Sequence, residues 1–196
     1  MDSLQRLIDA LRVLPGVGQK SAQRMAFYLL RASQRERGSR LATALSEAMQ
    51  QIRHCDRCNN FTENPCCRLC ERPERDKKLL CVVEMPADLC AVEQSQTYQG
   101  TYYVLMGRIS PLDGLGPKDI RLEKLEHLVR TEAIQEIILA LSPSVEGRAT
   151  AYFIQQMLQA YPVRISQLAQ GIPCSGELEF LDATTIGAAL RNRSTV

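Results

Sequence analysis

Up to Ile52 the apolar residues recur with a helical period. From Leu79 onward helical stripes alternate with short continuous apolar runs. Leu4, Leu7, Ile8 and Leu11 follow i, i+3, i+4, i+7 spacing, which predicts a helix with one apolar face. The pattern stops at Leu14-Pro15-Gly16. A second helix is predicted from near Gln19, with Ala22, Met25, Ala26 and Leu29 as its stripe. Residues 31–40, RASQRERGSR, read as a solvated connection. Leu41, Leu45, Ala48, Met49 and Ile52 predict a third helix.

Leu79 to Val83 is an unbroken apolar run ending in Glu84, the signature of a buried parallel strand. Pro86 and Asp88 open a helix carrying Leu89 and Val92. Tyr102 to Leu105 predicts a second strand, and the Gly- and Pro-rich segment 106–119 a long loop. Leu122, Leu125, Leu128 and Val129 mark a helix. Glu136 to Leu141 marks a third strand, Phe153 to Leu158 a helix, and Val163 to Leu168 a fourth strand. Strands alternating with helices predict an α/β domain on a parallel sheet. In the last stretch Leu178, Phe180 and Leu181 alternate with Glu177, Glu179 and Asp182, which predicts an edge strand. Thr184 to Arg191 predicts a short helix. The run ending in Asp182 is like a Walker B strand, but no Walker A loop accompanies it, so a competent ATP site is not expected.

The chain has 196 residues, room for one or two domains plus a small module, and 45% hydrophobic content supports a real core. No run approaches the roughly 18 apolar residues of a membrane span. The N-terminus carries an early acid and an amphipathic period, unlike a secretory signal. Eight cysteines without such a signal point to a reducing, cytoplasmic setting and to metal rather than disulfides. Net charge is +2, but its distribution is uneven: residues 1–78 hold fifteen Lys/Arg against nine Asp/Glu. A basic front and an acidic remainder suggest that the front meets a polyanion.

Residues 55–70, CDRCNNFTENPCCRLC, carry Cys55-x2-Cys58 and, eight residues later, Cys67-x2-Cys70. Two such knuckles fit one tetrahedral zinc with four thiolate ligands. A segment this short cannot bury enough apolar surface to fold alone, and a structural zinc contributes on the order of 10–16 kcal/mol. Cys66 competes with Cys67 as a ligand, but only Cys67 keeps the C-x2-C spacing with Cys70; His54 is another substitute. A redox C-x2-C or two incidental pairs are the alternatives. Four thiolates leave no open position for water, so the expected role is structural.

Between the first two helices lies Pro15-Gly16-Val17-Gly18, a hairpin with glycines where φ > 0 or a close backbone approach is required. The second helix then begins beside Lys20, Ser21 and Arg24, a phosphate site by geometry. The alternative is a plain turn between core helices. LPGVGQKSAQRMAF resembles the helix-hairpin-helix of DNA-binding proteins, which grips the sugar-phosphate backbone without reading sequence. That resemblance implies DNA contacts from Lys20 and Arg24, with the backbone of Gly16 and Gly18 exposed to DNA.

In parallel sheets the working residues sit at the carboxyl ends of strands. Glu84, Asp88 and Glu146 fall there and suit a divalent cation, an acidic patch for a basic partner, or simple helix-start roles. Residues 79–174 resemble a Toprim domain, whose pattern adds an Asp-x-Asp for magnesium. Here that place reads Ser142-Pro143-Ser144, which argues against metal-dependent strand cleavage.

In this order the parts resemble the RecR family of bacterial recombination mediators. The supporting stretches are LPGVGQKSAQRMAF, the Cys quartet, VVEMPADLCAVE, ISPLDGLGP and VEGRATAYFI. The resemblance implies a multidomain α/β protein. Its parts would be a helix-hairpin-helix DNA-binding unit at 1–53, a four-Cys zinc finger at 54–72, a Toprim domain at 79–174, and a strand and helix for oligomer contact at 175–196. It implies no enzyme activity. It also implies one structural zinc per chain, sequence-independent binding of gapped DNA, and a nucleoid-associated, ring-like homo-oligomer, a tetramer. The partners would be RecO and RecF, acting to load RecA, with Glu84, Asp88 and Glu146 receiving basic RecO. No membrane partner is implied.

Overall fold

The computed structural model describes residues 2–169, 171–173 and 176–192. The chain folds as two compact units, Met1–Ile52 and Arg53–Val196.

The first unit is helical. Helix α1 spans Ser3–Leu11, its start capped by the Asp2 carboxylate, which accepts from Leu4 N–H at 3.4 Å. Helix α2 spans Gln19–Leu30, a 3₁₀ turn covers Ala32–Gln34, and α3 spans Arg35–Gln51. The core is small. Ile8 of α1 packs on Ala22 and Ala26 of α2, flanked by Leu4, Leu7, Leu11 and Val17. The two alanines lack bulk, so the helices approach closely at that point. Helix α3 begins six residues before Leu41, inside the segment expected to be a solvated connection. Arg and Glu are good helix formers without being apolar, and Glu36 pairs with Arg40 one turn on. No residue of α3 is buried in this unit, so the apolar stripe of Leu41, Leu45 and Met49 stays exposed.

The second unit opens with a two-stranded ribbon, β1 (Arg53–His54) antiparallel to β2 (Phe61–Thr62), followed by the short helix α4 (Arg68–Glu71). The α/β part then runs β3 (Asp76–Val83), α5 (Pro86–Gln94), β4 (Gly100–Val104), α6 (Leu122–Thr131), β5 (Glu136–Ala140), α7 (Val145–Leu158) and β6 (Arg164–Gln167). The sheet order is β4-β3-β5-β6, with every pair parallel. Val82 of β3 stands between Tyr103 and Leu139. Successive side chains face opposite sides, which sorts the core into two layers. Leu80, Val82, Tyr103, Ile137 and Leu139 meet Leu125 of α6 and Ile154 of α7 on one face. Cys81, Val83, Tyr102 and Val104 meet Leu89 of α5 on the other. Because both faces are covered, the strands read as continuous apolar runs.

The chain leaves β3 toward β4 on one side and β5 toward β6 on the other. The crevice between the carboxyl ends of β3 and β5 is therefore the topological switch point of the sheet, where open α/β sheets place their sites.

Residues Leu178–Phe180 form a 3₁₀ turn and not the expected edge strand, and helix α8 follows at Ala183–Arg191. The turn satisfies its own backbone through Phe180 N–H to Glu177 O at 3.1 Å and Leu181 N–H to Leu178 O at 3.3 Å. Asp182, the expected Walker-B-like acid, instead caps α8 by accepting from Thr184 and Thr185 N–H at 2.9 and 3.0 Å. Of the cysteines outside the quartet's stretch, Cys81 is buried in the sheet core and Cys90 is exposed on α5, while Cys174 lies outside the described residues. Among the described residues no helix is long and apolar enough to cross a membrane.

Candidate functional site

The ligating atoms of Cys55, Cys58, Cys67 and Cys70 all lie within 4.8 Å of one another. Cys58 Sγ is 3.5 Å from Cys67 Sγ, and Cys55 Sγ is 3.9 Å from Cys70 Sγ. A tetrahedral thiolate centre with bonds of about 2.3 Å requires sulfur separations of about 3.8 Å, so the four residues fit a metal ion. The first knuckle turns because Asn59 adopts φ 64°, while its N–H donates to Cys55 O at 3.1 Å. In the second, Cys67 N–H points at Cys55 Sγ at 3.3 Å. Cys66 packs beside the cluster but outside the converging four. His54 directs Nδ1 to the Asn59 carbonyl at 2.9 Å and is not among the converging ligands.

Sulfurs this close repel one another once they carry charge. Hydrogen bonds from Cys58 and Cys70 hold the Cys67 thiol far down, to about 2. The bond with Cys67 pushes Cys58 up, and bonds with Cys58 and then Cys67 push Cys70 up. A cation among them removes that conflict.

The cysteine module is fastened to the α/β sheet. Val104 N–H of β4 donates to Cys58 O at 2.8 Å, and the buried Asn59 amide donates to Val104 O at 2.7 Å. Arg57 grips Glu132 through Nε at 2.9 Å and Nη2 at 2.6 Å, reaches Thr101 Oγ1 at 3.2 Å, and directs Nη1 at Cys70 Sγ at 3.9 Å. Burial alone would lower the Arg57 pKa. Its bonds and charge pairing with Glu132 and Cys70 outweigh that, and it is raised. Arg121 and Lys124 donate to Asn59 Oδ1 and Cys55 O, each at 3.0 Å. Sequence reading missed this network because Arg57 and Glu132 are 75 positions apart.

In the helical unit, α2 begins at Gly18 without a side-chain cap, so its first N–H groups are open to an anion. Gly16 has φ +76°, where a side chain would be strained; Gly18 has φ −81°, which any residue adopts. Of the two reasons expected for glycine, only Gly16 shows the positive φ. A Cβ at either position would meet nothing within 4 Å, so both backbones face open space. Lys20 and Arg24 are exposed one turn apart on α2, and among the described residues neither has an ion-pair partner.

At the switch point the protein's own groups engage the first acid. Glu84 is buried, and its Oε1 accepts from Ser142 N–H at 2.8 Å. Arg108 Nη1 lies 3.8 Å from Glu84 Oε2. Gly147, at the start of α7, sits so close that a Cβ there would collide with the Ser142 carbonyl. Asp88 is exposed and accepts from Met85 N–H at 2.8 Å at the head of α5. Glu146 is partly exposed. Its own backbone N–H and then Ser144 lower its pKa, with Arg108 adding to this and Asp113 opposing it. Arg108 and Asp113 belong to this edge and were not found from sequence. Among the described residues, the cysteine quartet is the only group of three or more ligating side chains that converges; the acids do not.

Residues 4–49 match the family model for RecR, helix-hairpin-helix; residues 78–169 match that for the Toprim domain; residues 171–194 match that for RecR, C-terminal. The chain is 61% identical over 196 residues to the recombination protein RecR of Legionella pneumophila subsp. pneumophila strain Philadelphia 1, covering 100% of this chain and 98% of that one. It is also 61% identical to the recombination proteins RecR of Legionella pneumophila strains Corby and Lens, covering 100% of this chain and 99% of each. On this similarity, which spans nearly the full length of both chains, the protein belongs to the RecR family of recombination proteins.

Proposed function

We propose that the protein is a non-enzymatic recombination mediator that clamps DNA at single-stranded gaps and works with RecO and RecF to load RecA. The observation that carries this reading is the start of α2. Uncapped helix N–H groups, two open glycine backbones, Lys20 and Arg24 together make a site for DNA phosphates. Nothing in it reads a base edge, so binding is indifferent to sequence and sensitive to salt.

Strand cleavage is not part of the proposal. Glu84 is taken up by Ser142 N–H and faces Arg108, and no Asp-x-Asp stands across the crevice. The acids serve a basic face of RecO instead. Asp88 and Glu146 are accessible for direct contact, while Glu84 holds the edge in shape from below. The quartet Cys55, Cys58, Cys67 and Cys70 holds one zinc per chain as a structural centre, since four thiolates suit zinc and leave no open position. The working form is a homotetramer in the cytoplasm, associated with the nucleoid. The exposed apolar residues Leu45 and Met49 of α3, and Phe180 near the C-terminus, favour self-association. A ring multiplies weak phosphate contacts by effective concentration.

The test is binding to a gapped duplex by the wild type and by the Lys20→Ala, Arg24→Ala double variant across a salt series. Weaker binding and a shallower salt slope in the variant support the reading. Identical curves refute the assignment of the hairpin.

A further inference from the structure

A zinc held by four thiolates carries a net charge of −2, and in this fold three of the four ligands, Cys55, Cys58 and Cys67, are buried. Net charge in such a place needs cations nearby. We infer that Arg57 is the residue that neutralises and positions this centre, bridging the Cys70 sulfur to Glu132 at the C-terminal end of α6. The inference rests on the zinc reading above.

The geometry is specific to arginine. A guanidinium has one edge to grip a carboxylate and further N–H groups that point elsewhere. Arg57 places Nε and Nη2 on the two Glu132 oxygens at 2.9 and 2.6 Å, which leaves Nη1 aimed at Cys70 Sγ at 3.9 Å. Thr101 Oγ1 at 3.2 Å fixes the plane of the group. Glu132 orients Arg57, and Arg57 orients Cys70. Arg121 and Lys124 bond to Asn59 and to the Cys55 carbonyl within the same module. Arg57, Arg121 and Lys124 all bring positive charge to the module, and Glu132 offsets one of them. Arg57 is the only one of the three with a bond to a ligand sulfur. Hydrogen bonds to ligating groups tune metal affinity, typically by about 10- to 100-fold.

The experiment uses the full chain loaded with zinc and titrated with a chromophoric chelator, alongside the cobalt-substituted protein, whose thiolate-to-metal charge-transfer band reports on sulfur electron density. The variants are Arg57→Ala, Arg57→Lys and Glu132→Gln. Arg57→Ala should yield its metal to the chelator about 10- to 100-fold more readily, with the cobalt band moved to longer wavelength. Arg57→Lys should recover part of both effects, since it keeps the charge and loses the fork. Glu132→Gln should show a smaller change in the same direction. If Arg57→Ala does not fold, Glu132→Gln carries the test. A variant with the wild-type competition curve and cobalt spectrum overturns the role of Arg57 and leaves the zinc reading intact. A wild-type chain that takes up no metal overturns both.

Discussion

Glu84 Oε1 accepts a hydrogen bond from Ser142 N–H at 2.8 Å, tying the end of β3 to the loop after β5. The bond spans the switch point of the sheet, where a Toprim enzyme would keep its metal open to substrate. Here the backbone and Arg108 take up the carboxylate. Glu84→Ala should destabilise the protein by about 1–3 kcal/mol in urea unfolding, because the Ser142 N–H loses its partner. Glu84→Gln keeps an acceptor and should cost less. Equal loss in the two variants would contradict the bond's role.

The hairpin glycines should separate in their effects. Gly16→Ala forces a side chain into φ +76° and should destabilise the helical unit by about 1 kcal/mol. Gly18→Ala has an ordinary φ and open space, so its stability should stay near wild type while DNA affinity falls, since the new methyl stands where a phosphate approaches. Thermal melts paired with fluorescence anisotropy on labelled DNA distinguish the two. If Gly18→Ala binds DNA as the wild type does, the backbone is not approached there.

Asp88 and Glu146 should matter to RecO beyond any part they play in folding. Asp88→Asn keeps most of the cap on Met85 N–H, and Glu146→Lys reverses a partly exposed charge. In a pull-down, Glu146→Lys should retain RecO several-fold less well, and raising salt should weaken the wild-type complex. Undiminished capture by Glu146→Lys would place the partner elsewhere.

Glu136 opens β5 and accepts from Ser166 Oγ at 2.7 Å while pairing with Arg164 of β6. Both lower its pKa, the serine first. A carboxylate whose folded pKa is depressed contributes stability above its unfolded pKa, and that stability disappears as pH falls through the folded value. Glu136→Gln should therefore melt below wild type near neutral pH, with the gap closing as pH falls below the ordinary carboxylate range. A gap that persists at low pH would assign the loss to packing.

Much of the fold was legible because the relevant signal was local. Leu79 to Val83 reads as a buried strand since both of its faces are covered, and the two C-x2-C pairs read as one centre since spacing alone aims their sulfurs. Helix α3 was read too short because Arg35 to Arg40 carries no apolar stripe, and helix propensity without a stripe looks like a connection. The alternation at Leu178 to Leu181 is as compatible with a 3₁₀ turn as with a strand over so few residues. The burial of Glu84 and the grip of Arg57 on Glu132 depend on tertiary partners 58 and 75 positions away, which no window along the chain contains.

On the proposed function, DNA is held through the start of α2 and is not cut. The most direct measurement is binding of the wild type and the Lys20→Ala, Arg24→Ala variant to a gapped duplex in magnesium, with and without RecO, from low to moderate salt. Wild-type binding should be weak, strengthen with RecO and leave the DNA intact. The variant should lose affinity, and its salt slope should fall by about 0.9 for each phosphate contact removed. Strong binding with magnesium-dependent loss of substrate, or a variant indistinguishable from wild type, would contradict it.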